Sequence, residues 1–198
     1  MENTSLGITL SNTPFKDNCR IIKVLTKDEG IISLFIKGVN LKKGKLLSLT
    51  SPFCLGEFIY KKGNTDLYKF YDGSVVEDNL QLRSSYQNIQ TASKLIKAIL
   101  ISQIPLKEIP AIFSLLSTYL KRLVEFKEKE TFLISFYLKI LLHEGLLHFD
   151  SEIVSFTEKE VNQMHEIVLA RSFSKLKNVI TSEDLCEKVE KFFFYLIS

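Results

Sequence analysis

Cysteine is scarce in this chain and widely scattered. The three residues are Cys19, Cys54 and Cys186 in a sequence of 198. No Cys-x-x-Cys pair occurs, so neither a zinc finger nor a thioredoxin-like redox motif is supported. A sparse, odd number fits a reducing compartment, and each cysteine reads as a small core residue. Histidine is equally rare, at His143, His148 and His165. "HEGLLH" sets two of them five residues apart, about 500° around a helix, so their rings do not share a face as in the zinc-binding H-E-x-x-H motif. There is no G-x-S-x-G, no phosphate-binding P-loop and no G-x-G-x-x-G stretch. The carboxylates are spread along helix surfaces, without the cluster that a metal-dependent nuclease needs. No nucleophile, base and orienter come together, which predicts a protein that is not an enzyme and has no cofactor. Long apolar runs are missing too. None reaches the roughly 20 residues that span a bilayer, and "KFFFYLIS" is too short. "MENTSLGITL" lacks the basic start and long apolar run of a secretory leader. The expected location is the cytoplasm.

What is present suits a globular chain: 45% apolar and 25% charged residues. The length suggests one large domain or two small ones. A net charge of +3 does not by itself demand a nucleic-acid partner, so its distribution must carry that argument. Over residues 30–71, Lys37, Lys42, Lys43, Lys45, Lys61, Lys62 and Lys69 stand against only Glu57 and Asp66. The excess centres on "GIISLFIKGVNLKKGKLLSL", where two apolar stretches flank a lysine-rich loop.

Residues 1–80 read as β structure. "LGITLSN", "CRIIKVLT", "GIISLFIKG", "LLSLTSPFCLGEFIY" and "LYKFYDGSVV" are rich in β-branched and aromatic residues and separated by turn residues. Five short strands of this kind suit a small barrel. Pro52 inside the fourth run predicts a bend or an edge. From about Leu82 the apolar period becomes helical: Ile89, Ala92, Leu95, Ile96, Ile99 and Leu100 form one stripe. Further helices are predicted in "AIFSLLSTYLKRLVEF", "ETFLISFYLKILLHEGLLHF", "TEKEVNQMHEIVLARSF" and "SEDLCEKVEKFFFYLI". Gly145 is a C-cap candidate, Thr157 and Glu160 form a capping box, and Ser182 is an N-cap candidate. The fold class is therefore α+β, with a five-stranded barrel over 1–80 and a helical domain over 81–198.

A five-stranded barrel with lysines on one loop fits the oligonucleotide-binding (OB) architecture. Such barrels follow a phosphate backbone with a cationic groove and stack bases on rings. Phe35, Phe58, Tyr60, Tyr68, Phe70 and Tyr71 supply rings, although strand alternation makes some of them core. A solvated hairpin tip would also collect lysines.

The ordered set "LGITL", "CRIIKVLTKDEGIISLFIKGV", basic loop and "LLSLTSPFCLGEFIYKKGNTDLYKF" resembles the bacterial DNA repair and recombination family RecO. The matching features are Gly7, Arg20, "IIKVLT", Gly30, Lys37-Gly38, the lysines 42, 43 and 45, and "LTSPFCLGEF". Downstream, "FLISFYLKILLHEGLLHFD" resembles a family helix. The resemblance implies an OB-fold domain followed by a helical domain. It implies a non-enzymatic mediator that binds single- and double-stranded DNA, anneals complementary strands and, with RecR, helps load RecA onto strands coated by single-strand-binding protein (SSB). Many members carry a four-cysteine zinc module after that helix. Here 150–156 reads "DSEIVSF" without a cysteine, so the module is lost or shortened and nothing metal-linked carries over.

Arg20, Lys37, Lys42, Lys43 and Lys45 are accordingly the expected DNA contacts. For the helical domain the resemblance suggests the acidic C-terminal tail of SSB as partner. A free carboxylate beside an apolar residue wants an apolar pocket rimmed by cations. Lys121 and Arg122 stand among Tyr119, Leu120, Leu123 and Phe126, and Lys139 among Phe136, Tyr137 and Ile140. A protein-interaction adaptor that binds no nucleic acid would share the same barrel and helices.

Overall fold

The computed structural model describes residues 2–16, 18–38, 44–63, 65–148, 154–170 and 172–197, with the side chain of Lys45 left out. Lys42 and Lys43 lie outside the described residues. So do 149–153, most of the stretch at which other members carry zinc ligands. Strands β1 (Asn3–Pro14), β2 (Cys19–Thr26), β3 (Gly30–Lys37), β4 (Leu55–Lys61) and β5 (Leu67–Glu77) close into a barrel in the order β1-β2-β3-β5-β4. All neighbours are antiparallel except β3 and β5, which run parallel. Closure leaves no unpaired edge. Even-numbered residues of β2 and β3 point inward, so Ile22, Val24, Ile32, Leu34 and Ile36 meet Phe58, Tyr60 and Tyr68 in the core. Each such burial stabilises by about 1.5–3 kcal/mol. Cys54 joins this core, and burial pushes its thiol up to about 11.

The fourth apolar run is not one strand. Its first part is the helix α1 (Lys45–Leu49), and only the second part is β4. Leu46 and Leu49, three apart, turn to one side and pack on the barrel core. The carbonyl of Leu49 accepts from Thr9 Oγ1 (2.7 Å) and that of Thr50 from Asn12 Nδ2 (2.9 Å). Side chains of β1 thus satisfy carbonyls that a helix end leaves open, which fixes α1 to the barrel. Pro52 falls in the turn that follows, where Phe53 donates to Thr9 and Thr9 to Cys54, both at 2.9 Å. The lysine loop is also no hairpin tip. β3 and β4 are not neighbours in the barrel, so the connection between them crosses over instead of folding back.

Helices α2 (Tyr86–Ser102), α3 (Pro110–Arg122), α4 (Lys129–His143), α5 (Glu158–Leu169), α6 (Phe173–Leu176) and α7 (Glu183–Ile197) follow. The chain forms two compact units. One comprises Met1–Ser84 with Gln103–Lys121, the other Ser85–Ser102 with Arg122–Ser198. In the first unit, Leu106 N–H donates to Ile31 O (3.1 Å) and ties the segment before α3 to β3. Pro110 opens α3, a position where its missing N–H costs nothing. In the second unit, α4 is apolar on nearly every side and forms the centre, packed by α2, α5 and α7. Tyr137 of α4 stacks on Phe193 of α7 at 4.4 Å and 12°. The expected α2 stripe is buried at Ala92, Leu95, Ile96 and Ile99, but Ile89 faces outward and Asn88 takes its place.

The caps follow the sequence. Gly145, at φ 72°, ends α4: its N–H donates to Leu142 O and that of Leu146 to Leu141 O, a Schellman pair. Ser182 Oγ accepts from Leu185 N–H at the start of α7. The Thr157–Glu160 capping box is complete. Lys188 (2.8 Å) and the Thr157 N–H (2.7 Å) both donate to the Glu160 carboxylate and hold its pKa down to about 2. A depressed carboxyl pKa adds stability above the unfolded value, and that stability is lost as pH falls through the folded one. Acid titration of stability between the ordinary carboxyl range and about pH 2 should therefore flatten in a Glu160→Gln variant. An unchanged profile, followed by circular dichroism, would show the carboxylate to be irrelevant there.

Candidate nucleic-acid interface

Register decides which cations share a surface. On the outer parity, Cys19, Ile21 and Lys23 of β2 lie opposite Lys37, Phe35 and Ser33 of β3. Ser33 and Phe35 lie opposite Leu67 and Lys69 of β5, and Lys69 lies opposite Lys61 of β4. The outer side of four strands thus carries Lys23, Lys37, Lys61 and Lys69, all exposed. Among the described residues no salt bridge to a carboxylate occupies any of them. Lys61 directly opposite Lys69 is a like-charge pair, unfavourable across strands unless an anion lies over it.

Rings stand among these cations. Phe15, just past β1, is 42% exposed, and its ring meets that of Phe35 edge-on at 5.8 Å and 84°. The ammonium of Lys16 lies 5.7 Å from the Phe15 centroid and that of Lys37 5.8 Å from the Phe35 centroid. Tyr71 sits at the register shift between β4 and β5, a bulge that turns it outward, 44% exposed, with Lys69 at 5.1 Å. Of the six rings read from sequence, Phe58, Tyr60 and Tyr68 are core. Phe15, Lys16 and Lys23 were not singled out from sequence. Alternation along β2 could have given Lys23, but nothing local marks Phe15.

The expected DNA contacts are only partly brought together. Lys37 is on the outer face. Arg20 pairs with Pro14 and Ile36 and has the inward parity of Ile22, so register sets it apart from Lys37. Lys45 begins α1. In the helical part, the Lys121 ammonium is 4.0 Å from Glu77. Arg122 Nη1 is 2.9 and 3.2 Å from the two oxygens of Glu125. Lys139 donates to Ala170 O at 3.0 Å, and burial lowers its pKa. Tyr119, Leu120, Leu123, Phe126, Phe136, Tyr137 and Ile140 are all buried, so they are core and not an open apolar pocket. A cleft of about 270 Å³ does open beside Phe126, lined also by Glu125, Lys127, Glu128 and Lys177. A larger one, about 570 Å³, is lined by His165, Glu166 and Lys175 among others, without a hydroxyl or thiol nucleophile. Among the described residues no group of three His, Cys, Asp or Glu side chains could hold a metal ion. No described helix is long and apolar enough to cross a membrane.

A closed five-stranded barrel with a cationic, ring-bearing outer face, followed by a helical region, has the architecture of oligonucleotide-binding barrel proteins. Residues 1–78 match the family model described as the N-terminal domain of recombination protein O. The DNA repair protein RecO of Chlamydia trachomatis serovar D is 28% identical, over 89% of this chain and 84% of the relative. RecO of Clostridium acetobutylicum is 25% identical over 80% and 64%. RecO of Chlamydia muridarum is 31% identical over 71% and 60%. These similarities support homology to the RecO family.

Proposed function

We propose that this chain is a RecO-type mediator of DNA repair and recombination, cytoplasmic and associated with the nucleoid. In this reading it binds single- and double-stranded DNA, anneals complementary strands and, with RecR, helps load RecA onto SSB-coated DNA. It performs no covalent chemistry. The observation that carries the reading is the outer barrel face, where lysines from four strands converge without a paired carboxylate among the described residues. Phosphate contacts of this kind position a strand without reading its sequence. The lysine loop at 42, 43 and 45 extends the same charge.

The test is an annealing assay with two complementary oligonucleotides, with and without SSB, together with DNA affinity against salt. Binding that falls steeply with salt supports the reading. Absence of binding leaves the adaptor alternative. The Lys42→Ala/Lys43→Ala/Lys45→Ala triple should weaken all sequences alike and reduce the salt slope by roughly 0.7–0.9 per lost contact. A slope equal to that of the native chain would make the loop a solvated crossover.

The acidic SSB tail is the proposed protein partner of the helical region. Lys139 already serves Ala170 and Lys121 faces Glu77, so Arg122 carries the proposed contact. Its guanidinium already holds one carboxylate, that of Glu125, at an exposed position. Arg122→Ala should weaken a tail peptide by about 1.5–3 kcal/mol, the range for a hydrogen bond to a charged group. Native-like peptide affinity in that variant, measured by calorimetry, would remove the site.

A further inference from the structure

The outer face carries more than charge. Phe15 and Phe35 are large rings held in contact on a solvent-facing surface, and each has a lysine ammonium within 6 Å of its centroid. We propose that this pair is a base-stacking platform that selects single-stranded over duplex nucleic acid. The inference rests on the DNA-binding reading above and adds a strand preference to it.

The geometry favours bases over a hydrophobic partner. In an edge-to-face pair, the ring that contributes its edge keeps both faces clear of its neighbour. The outer-parity neighbours of Phe35, namely Ile21, Ser33 and Lys37 with Lys69 across on β5, include no acid that would repel a phosphate. Phe15 is held in place, since its N–H donates to Cys19 O at 3.0 Å across the turn. Lys16 and Lys37 reach the ring faces themselves, so each can shift a few ångströms to the phosphate beside a stacked base. Tyr71 with Lys69 repeats the ring-and-ammonium unit on β5, one strand beyond Phe35. Every base has a π-face, so such a row tolerates any sequence. Bases in a duplex are already stacked on one another and offer no free face; only a splayed strand can use these rings.

The experiment compares the full chain with a Phe15→Leu/Phe35→Leu variant, using labelled oligo(dT) and a duplex of equal length. Leucine keeps apolar cover and removes the π-face. Single-strand affinity should fall roughly 5- to 150-fold, the range found on removing one stacked ring, while duplex affinity and its salt slope stay as in the native chain. The sequence contains no tryptophan, so a Phe15→Trp variant gives a single indole reporter even where the leucine pair does not fold. Its emission should be quenched by oligo(dT) and unmoved by duplex. Equal loss for both strand forms, no loss for either, or an indole unquenched at saturating oligo(dT) would overturn the platform and leave DNA binding standing. A native chain that binds neither form overturns both readings.

Discussion

Alanine at Lys37, Lys61 and Lys69 together should reduce DNA affinity on the order of a hundredfold at ~0.1 M salt and lower the log–log salt slope by about 2 to 3. The three residues come from β3, β4 and β5, yet register sets Lys61 opposite Lys69, and Lys69 opposite Phe35, two positions from Lys37. The loss should be equal across sequences, because the contacts are to phosphates. Stability should not fall. All three side chains are exposed and lack salt bridges among the described residues, and removing Lys61 and Lys69 relieves a like-charge pair. A melting temperature at or above that of the native chain, beside unchanged DNA affinity and slope, would show that the cations merely solvate the barrel. Titration by fluorescence anisotropy at several salt concentrations decides it.

The second large effect concerns Gly30, which opens β3. Its φ is 72°, in the left-handed region that a side chain disfavours, and an added Cβ would run into the backbone carbonyl of Lys107. Both faults act at once in Gly30→Ala. Left-handed strain costs about 1–2 kcal/mol and overpacking against fixed backbone about 1–3 kcal/mol, so the variant should lose about 2–5 kcal/mol. Chemical denaturation would measure it. A loss under about 1 kcal/mol, the ordinary cost of a surface change, would mean that the segment ahead of α3 moves aside freely.

Most of the fold could be read from local pattern. β2 and β3 alternate cleanly, and the helical stripe, the Thr157–Glu160 box and the Gly145 stop each follow from a few residues. What could not be read depended on remote partners. "LLSL" is apolar enough for a strand, and it becomes α1 because Thr9 and Asn12, some 40 residues earlier, receive its carbonyls. The core roles of Phe58, Tyr60 and Tyr68 follow from closure of the barrel, which no single strand encodes. The candidate site divides in the same way. Lysine enrichment located the right region, and Lys37 lies on the cationic face. Arg20 has the opposite parity, and Phe15 finds Phe35 only once β1 and β2 are paired. In the helical part, sequence neighbours of Arg122 and Lys139 looked like a pocket lining because an apolar helix reads alike whether its rings are open or buried.

Pairing between β1 and β4 joins Asn3 to Tyr60, and the parallel seam joins Ser33 to Leu67. Such distant partners meet late, since a long loop must be closed before its contacts reward it. The cationic face is split by that seam: Phe35 and Lys37 belong to the local β2–β3 hairpin, Lys61, Lys69 and Tyr71 to the late-joining strands. A nascent chain that has made only residues 1–54 can form the hairpin, with its own lysines and half of the core, but not the surface. The face therefore comes into being with barrel closure, so the chain cannot engage a polyanion across all these strands before it has committed to its fold.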